Sequence, residues 1–505
     1  MCGVIGILNA EKTIENSKSL PAPAAYDVYR GLLTLQHRGQ DAAGILSFDS
    51  IGQKFKCIKN NGLVAQVFDE KSLMSLTGKM AIGHTRYATV GSNDVENLQP
   101  MVTGFPLGCG LVHNGNLVNY HKLTEHLQED YQLQLLSSND LEVLLHLFCC
   151  YMMDEGHHHK NKFKFAAAAK SINRIMHTVE GGYAVLGLVA GQGMMAFRDP
   201  DGIRPLVLGV KESAEGVSYC LCSETVALSF LGFKFVRVLA PGEFIFIDLS
   251  GKVHSAILKS NVKKSTCMFE WVYFAGAEGL VEERSVYTAR LNFGEQLARR
   301  INQDMQAGKI NPDIVVPVPD SSRTSAIAVA ECIKVPYREA LIKNRYIQRS
   351  FILNSQEARE KAVQLKLSPV VSEIQGKEIL LVDDSVVRGT TSKKIVELLR
   401  NNGAKKITLA ITCPPIRYAC FYGIDFPSET ELVAHQRSEK EIAEWIGVDH
   451  IIYLKPDELL NSIGTEELCT GCISGHYPTP VSDGKRFANE RTITRNNLNN
   501  GEQSC

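Results

Sequence analysis

The sequence predicts a mixed α+β half followed by a doubly wound α/β half, and three observations carry that prediction. Residues 1 to about 255 are dense in short apolar runs split by Gly, Asn and Ser, such as MAIGHT, CGLVHNGN, YAVLGLVAG and PLVLGV. Runs of this kind bounded by turn residues read as strands. From about 285 to 460, the β-branched runs IVVPVP, EILLVDD and KITLAIT alternate with stretches of helical periodicity, the pattern of a buried parallel sheet with crossover helices. The length of 505 residues is ample for several cores, at ~150 residues per domain.

Composition excludes whole classes of function. The formal net charge is −1, with 22% charged and 44% hydrophobic residues, so neither a disordered chain nor a polycationic nucleic-acid binder fits. No apolar run reaches the ~18 residues of a membrane span, and the start, MCGVIGILNAEK, lacks the basic leader of a secretory signal. The expectation is a cytoplasmic protein with no nucleic-acid or membrane partner. Its 14 cysteines are then expected to be mostly buried thiols rather than disulfides. Cys2 and the Cys469/Cys472 pair stand apart by position. The run His157 to His159 lies in the polar stretch GHHHKNK and reads as a solvated loop, because consecutive imidazoles do not readily converge on one ion.

Element by element, Asp140 to Tyr151 has helical spacing of its apolar residues. Lys377 to Thr412 forms one strand–helix–strand unit. Its first strand ends at Val382, Ser392 to Asn402 carries Ile395, Leu398 and Leu399 on one face, and Gly403 stops the helix. Lys485 to Cys505 is polar and Asn-rich, a disordered tail by composition.

The chemistry begins at the N-terminus. If Met1 is removed, Cys2 carries a thiol and a free α-amine of pKa ~7.7–8.0 on one residue, so a single residue supplies nucleophile and base. Arg86 in GHTRYAT offers a planar fork for a carboxylate. HNGNL is expected to place Asn114 and Gly115 in a tight turn, where a side-chain amide and an unhindered backbone N–H both suit an oxyanion. Asp140 in SSNDLEV suits a substrate ammonium or, alternatively, a helix N-cap.

Six collinear motifs, MCGVIGI, LQHRGQDAAGI, GHTRYATVG, HNGNL, FRDPDGIRPL and CSETVAL, resemble the N-terminal-nucleophile glutamine amidotransferase domain. That resemblance implies an αββα sandwich over residues 2–255. It implies Cys2 as the nucleophile that forms a thioester with the glutamine side chain and releases ammonia. Arg86 and Asp140 would clamp the glutamine carboxylate and amine, Asn114 and Gly115 would form the oxyanion hole, and Arg38 resembles a structural or triggering arginine.

In the second half, ILLVDDSVVRGTTS sets two acids at a strand end and then hydroxyls and a glycine at a helix start. Helix N-termini favour phosphate, and acidic pairs suit ribose hydroxyls or Mg²⁺. The string resembles the 5-phosphoribosyl-1-pyrophosphate (PRPP) loop of type I phosphoribosyltransferases. The resemblance implies a doubly wound parallel sheet over 256–465. It places PRPP on Asp383, Asp384, Ser385, Val386, Val387, Arg388, Gly389, Thr390 and Thr391. The loop VPVPDSSRTS resembles the pyrophosphate loop, with Arg323 as a contact and Ser321, Asp383 and Asp384 around one Mg²⁺; Ser322 stands where the family usually has Gly. YREALIKNRYIQRSFILNSQEAREK reads as a solvated basic helix on charge alone. By resemblance to a loop that closes over PRPP it implies Lys343, Arg345 and Arg349 as pyrophosphate partners.

A lone Cys469-x-x-Cys472 is compatible with redox or zinc chemistry. With Cys267 and Cys420 it resembles the four ligands of one structural [4Fe–4S] cluster in the iron–sulfur branch of the PRPP amidotransferase family, held by residues 466–484; four thiolates also suit zinc. This resemblance spans residues 2 to about 480, leaving 485–505 as tail. It implies conversion of glutamine and PRPP to 5-phosphoribosylamine, pyrophosphate and glutamate, the committed step of purine synthesis. Ammonia would be channelled between the sites, purine nucleotides would inhibit, and a homotetramer is expected. Two departures stand out: Cys2 directly follows Met1 where cluster-bearing members carry a propeptide, and Gly276-Ala277-Glu278-Gly279 replaces the usual RPDS. A PRPP-sensing scaffold with a dead glutaminase, or a salvage base phosphoribosyltransferase, are the rival readings.

Overall fold

The strand Gly3–Leu8 shows how the N-terminal half is layered. All six of its residues are buried. Val4 and Leu8 join one apolar cluster while Ile5 and Ile7 join another, as the two-residue period of a strand requires when both faces are covered. In the computed structural model, which describes residues 1–10, 23–87, 94–156, 163–259, 263–344, 367–426 and 428–486, this strand is central in a seven-stranded sheet. Its order is Lys234–Val238, Val207–Ser213, Gly216–Cys222, Gly3–Leu8, Met80–Arg86, Ala42–Asp49, Lys54–Asn61. A six-stranded sheet lies against it, ordered Val253–Ile257, Glu243–Asp248, Gly193–Arg198, Gly181–Val189, Cys109–Leu117, Met101–Thr103. Every pairing in both sheets is antiparallel.

The inner faces share one core, including Val4, Leu46, Ile82, Val112, Leu186 and Ile245. Helix Ala24–Thr34 packs on the outer face of the first sheet. Helices Asp140–Asp154 and Phe165–Thr178 pack on the outer face of the second. The result is the αββα sandwich, with apolar strands on both faces because each sheet is covered twice.

In the C-terminal half, Ile314–Pro317, Glu378–Asp383, Lys406–Ile411 and His450–Tyr453 form a four-stranded parallel sheet in that order. The long helix Val286–Gln306 and helix Arg323–Ile333 pack together in its core. Two details differ from the sequence reading. The strand runs one residue further, to Asp383, which pairs with Ile411. The helix spans Thr390–Asn401, and its fully buried residues are Ser392, Ile395, Val396 and Leu399, with Leu398 only half-buried. The apolar face is thus centred one position away from the expected one, because Val396 follows Ile395 by one residue and precedes Leu399 by three. His157–His159, Arg345, Arg349 and residues 487–505 lie outside the described residues. Of the expected tail, Lys485 still donates its amide to the Val481 carbonyl.

Candidate active site

Cys2 sits just before the central strand, half-buried, with its backbone amide donating to Asn114 Oδ1 at 3.1 Å. Its carbonyl oxygen accepts from Arg38 Nε at 3.0 Å, and its sulfur lies 3.9 Å from the Tyr87 carbonyl oxygen. Asn114 and Gly115 belong not to a tight turn but to the strand Cys109–Leu117 of the facing sheet, paired with Ala184 and Tyr183, so the two sheets bring Asn114 and Cys2 together. Asn114 is fully buried, yet its Nδ2 has no hydrogen-bond partner among the described residues. A buried donor left without an acceptor costs roughly 1–3 kcal/mol. An oxyanion formed beside Cys2 would satisfy it.

Arg86 ends the strand beside Gly3–Leu8 and is buried. Burial lowers its pKa, only partly opposed by Cys2, Asp41, Asp140 and Asp94. Asp140 is the first residue of its helix, and the cap is Asn139, whose side chain accepts from the Leu141 amide. The alternative reading of Asp140 as the N-cap is thereby excluded. Its Oδ2 accepts from the Leu117 amide at 2.9 Å, and His113 Nε2 lies 3.4 Å from Oδ1. Burial pushes this carboxyl up, but His113 and the Leu117 amide more than reverse it, leaving it below the ordinary range. An ionised carboxylate results, as ammonium recognition requires.

A second constellation lies at the carboxyl ends of the parallel strands. Asp383 closes its strand, and Asp384 turns into the loop, its amide donating to Asp383 Oδ1 at 2.9 Å. Asp384 accepts from the hydroxyls of Ser321 and Ser385, which brings Ser321 to the second acid of the pair. Burial and then mutual repulsion push Asp383 well up; burial also raises Asp384, opposed by both serines and Arg290. Such a pair is poised for a cation. Gly389 precedes helix Thr390–Asn401 at φ +73°, and a Cβ there would lie 2.6 Å from the Trp445 ring. Thr390 and Thr391 are exposed at the helix start, and Val386 is buried. Arg388 spends its guanidinium on Glu431 at 2.9 Å and Asp425 at 3.8 Å, so its side chain is engaged away from the loop. Lys343 and Arg323 both meet Asp320, at 2.7 and 3.3 Å.

Thr266–Cys267 and Leu468–Cys469 form a two-residue parallel bridge that sets Cys267 opposite Cys469. The amides of Arg417 and Tyr418 both donate to the Cys472 carbonyl at 3.0 Å, drawing the Cys420 segment alongside. Burial raises the Cys267 thiol to about 11, opposed by Arg204 and reinforced by Glu270 and Cys420, and raises Cys472 well above its ordinary value, reinforced by Cys420, Cys413, Cys267 and Cys469. Buried Cys413 also perturbs Cys472. Cys267, Cys420, Cys469 and Cys472 are thus carried on adjoining segments, three of them buried and Cys420 half-buried. No three His, Cys, Asp or Glu among the described residues are gathered closely enough to hold a metal ion. All 13 described cysteines are free thiols.

Sequence reasoning named Arg38 only as a structural or triggering arginine and missed the partners through which it joins the halves. Arg38, Glu270, Arg204 and Glu224 form a fully buried charge cluster. The amide of Gly276, in the segment that departs from RPDS, donates to Glu224 Oε2 at 2.9 Å. The available signal was a lone carboxylate inside the apolar run MFEWVYFA.

Comparison with known proteins is consistent over nearly the whole length. The glutamine amidotransferase domain family matches residues 67–176 and the phosphoribosyl transferase domain family residues 287–446. The amidophosphoribosyltransferase of Escherichia coli is 40% identical over 92% of this chain and 89% of its own. That of Saccharomyces cerevisiae is 38% identical over 96% of this chain and 94% of its own. The solved Bacillus subtilis glutamine PRPP amidotransferase, complexed with ADP and GMP, superposes at a TM-score of 0.80 with 37% identity, covering 95% of this chain and 98% of its own. Two matched domains in this order, with relatives of this identity aligned nearly end to end, show that the chain belongs to the amidophosphoribosyltransferase family.

Proposed function

We propose that the chain makes 5-phosphoribosylamine, pyrophosphate and glutamate from glutamine, PRPP and water in the cytoplasm, opening purine synthesis. The unsatisfied Asn114 Nδ2 beside Cys2 carries this reading. Loss of Met1 frees the Cys2 amine, which takes the thiol proton. The thiolate attacks the glutamine amide, Asn114 Nδ2 and the Gly115 amide hold the developing oxyanion, and ammonia leaves a thioester that water cleaves to glutamate. Arg86 and Asp140 hold the substrate's carboxylate and ammonium.

Ammonia then attacks C1 of PRPP, the C1–O bond to pyrophosphate breaks, and the amine loses a proton. Ammonia must arrive unprotonated, so the direct contact between the halves at Asn116 and Phe421 favours passage without release to water. Thr390, Thr391 and the amides of the loop from Ser385 would receive the 5-phosphate at the helix start, and Lys343, Arg323, Arg345 and Arg349 the pyrophosphate. Asp383, Asp384 and Ser321 would hold Mg²⁺, which neutralises pyrophosphate charge when bound.

Cys267, Cys420, Cys469 and Cys472 would hold a structural [4Fe–4S] cluster. The B. subtilis relative's ADP and GMP support purine nucleotides as inhibitors, whose 5-phosphate resembles that of PRPP, and a homotetramer is the assembly read from the family. The test is mass spectrometry after incubation with a glutamine-analogue electrophile. One adduct per chain on Cys2, absent in Cys2→Ala, is expected; labelling elsewhere refutes the assignment.

A further inference from the structure

The segment from Cys267 to Gly276 belongs to the C-terminal half but is gripped from both halves. Glu270 in it is fully buried, and its carboxylate accepts twice from Arg38, Oε2 from Nη1 and Oε1 from Nη2, each at 2.9 Å. Arg38 comes from the N-terminal half, and its remaining Nε donates to the carbonyl oxygen of Cys2 at 3.0 Å. Nη1 also reaches Glu224, which receives the Gly276 amide. The other end of the segment is held by Arg290 of helix Val286–Gln306, which donates to the carbonyls of Trp271, Tyr273 and Ala275 at 2.9, 3.1 and 2.9 Å.

A guanidinium is planar, and its donors keep fixed relative directions. Glu270 therefore sets the plane of Arg38, and that plane sets where Nε can meet the Cys2 carbonyl. Stability alone explains this arrangement poorly, since a buried ion pair is often matched or exceeded by apolar residues of equal volume. An apolar pair could not make the third bond, the one to Cys2.

We propose that Glu270 is a positioning residue for the glutaminase centre, supplied by the phosphoribosyltransferase half, which acts through Arg38 to fix the backbone of Cys2. This rests on the assignment of Cys2 as nucleophile. A displaced carbonyl would turn the thiol and the adjacent amine from the amide carbon, and misplacement on the order of 1 Å costs up to about a hundredfold in rate. Chemistry at C1 of PRPP, fed with ammonium salts, does not use this contact.

The test compares full-length wild type with Glu270→Gln, which keeps the volume and removes the charge. Glutamine-dependent kcat is expected to fall about tenfold or more, in step with the rate of Cys2 alkylation by the electrophile, while ammonia-dependent turnover and the KM for PRPP stay within about twofold. Unchanged glutamine-dependent kcat, or equal loss of both activities, overturns the proposal. A double-mutant cycle with Arg38→Lys is expected to show the pair no worse than the poorer single variant, and independent multiplicative losses overturn it. Should Glu270→Gln not fold, Glu270→Asp gives the same selective reading, a smaller loss confined to the glutamine reaction. Failure of wild-type labelling at Cys2 would instead refute the nucleophile assignment, so the two failures are distinct.

Discussion

Gly423 of the C-terminal half meets Gly115 of the N-terminal half backbone to backbone: a Cβ built on Gly423 would lie 2.9 Å from the Gly115 carbonyl oxygen and 3.4 Å from its Cα. Next to this contact, Asn116 Nδ2 donates to the Phe421 carbonyl at 2.9 Å. The strand that carries the proposed oxyanion hole is therefore built against the half that receives the ammonia.

Gly423→Ala should disturb both halves at this point. The residue has φ +97°, strained for any side chain, and its neighbour is rigid backbone. A loss of about 1–3 kcal/mol is expected. The ratio of glutamine-dependent to ammonia-dependent turnover should fall, measured by paired assays beside a melting curve.

Gly389→Ala should act on PRPP alone. Its φ of +73° and the Trp445 ring 2.6 Å from an added Cβ would displace the start of helix Thr390–Asn401. Initial-rate assays should show the KM for PRPP raised by about tenfold or more, with Cys2 alkylation unchanged.

Glu224 should contribute to acid stability. Burial pushes its carboxyl up, but Arg38 and His37 overcome this and hold it at about 2 against an ordinary 4.5. A depressed carboxyl contributes stability that is fully present above pH about 4.5 and is lost as pH falls toward 2, here on the order of 3 kcal/mol. Denaturation midpoints across that window should fall steeply in wild type and less in Glu224→Gln. Equal slopes would contradict the ion-pair account.

Cys469→Ser should abolish cluster loading. Anaerobically purified wild type is expected to contain about four iron and four sulfide per chain with a broad visible absorption, and the variant little of either. The exposed Cys57 serves as control, since Cys57→Ser should load normally. Zinc in place of iron would replace the cluster with a tetrathiolate zinc site.

How far the sequence reached follows the range of the interactions. Cys2, Arg86 and Asp140 could be singled out because each stands beside a strand end or at a helix start whose local chemistry is written in adjacent residues, and Asp383, Asp384 and Gly389 for the same reason. Asn114 lies inside a strand and was singled out by its motif alone. Glu270 and Arg38 are separated by 232 positions, and Gly423 touches Gly115 only through the fold. No periodicity or turn residue marks such pairs. The helix after Gly389 shows the intermediate case: its existence was plain, but which of Val396 and Leu398 is fully buried depended on the sheet beneath it.

The most direct measurement of the central claim is pyrophosphate release from PRPP, with glutamine or with ammonium chloride as nitrogen donor, in wild type and Cys2→Ala. Wild type should use both donors, and Cys2→Ala should lose the glutamine reaction by about a thousandfold or more while retaining the ammonium reaction. Glutamine-dependent release that survives in Cys2→Ala, or no release with either donor in wild type, would contradict the account.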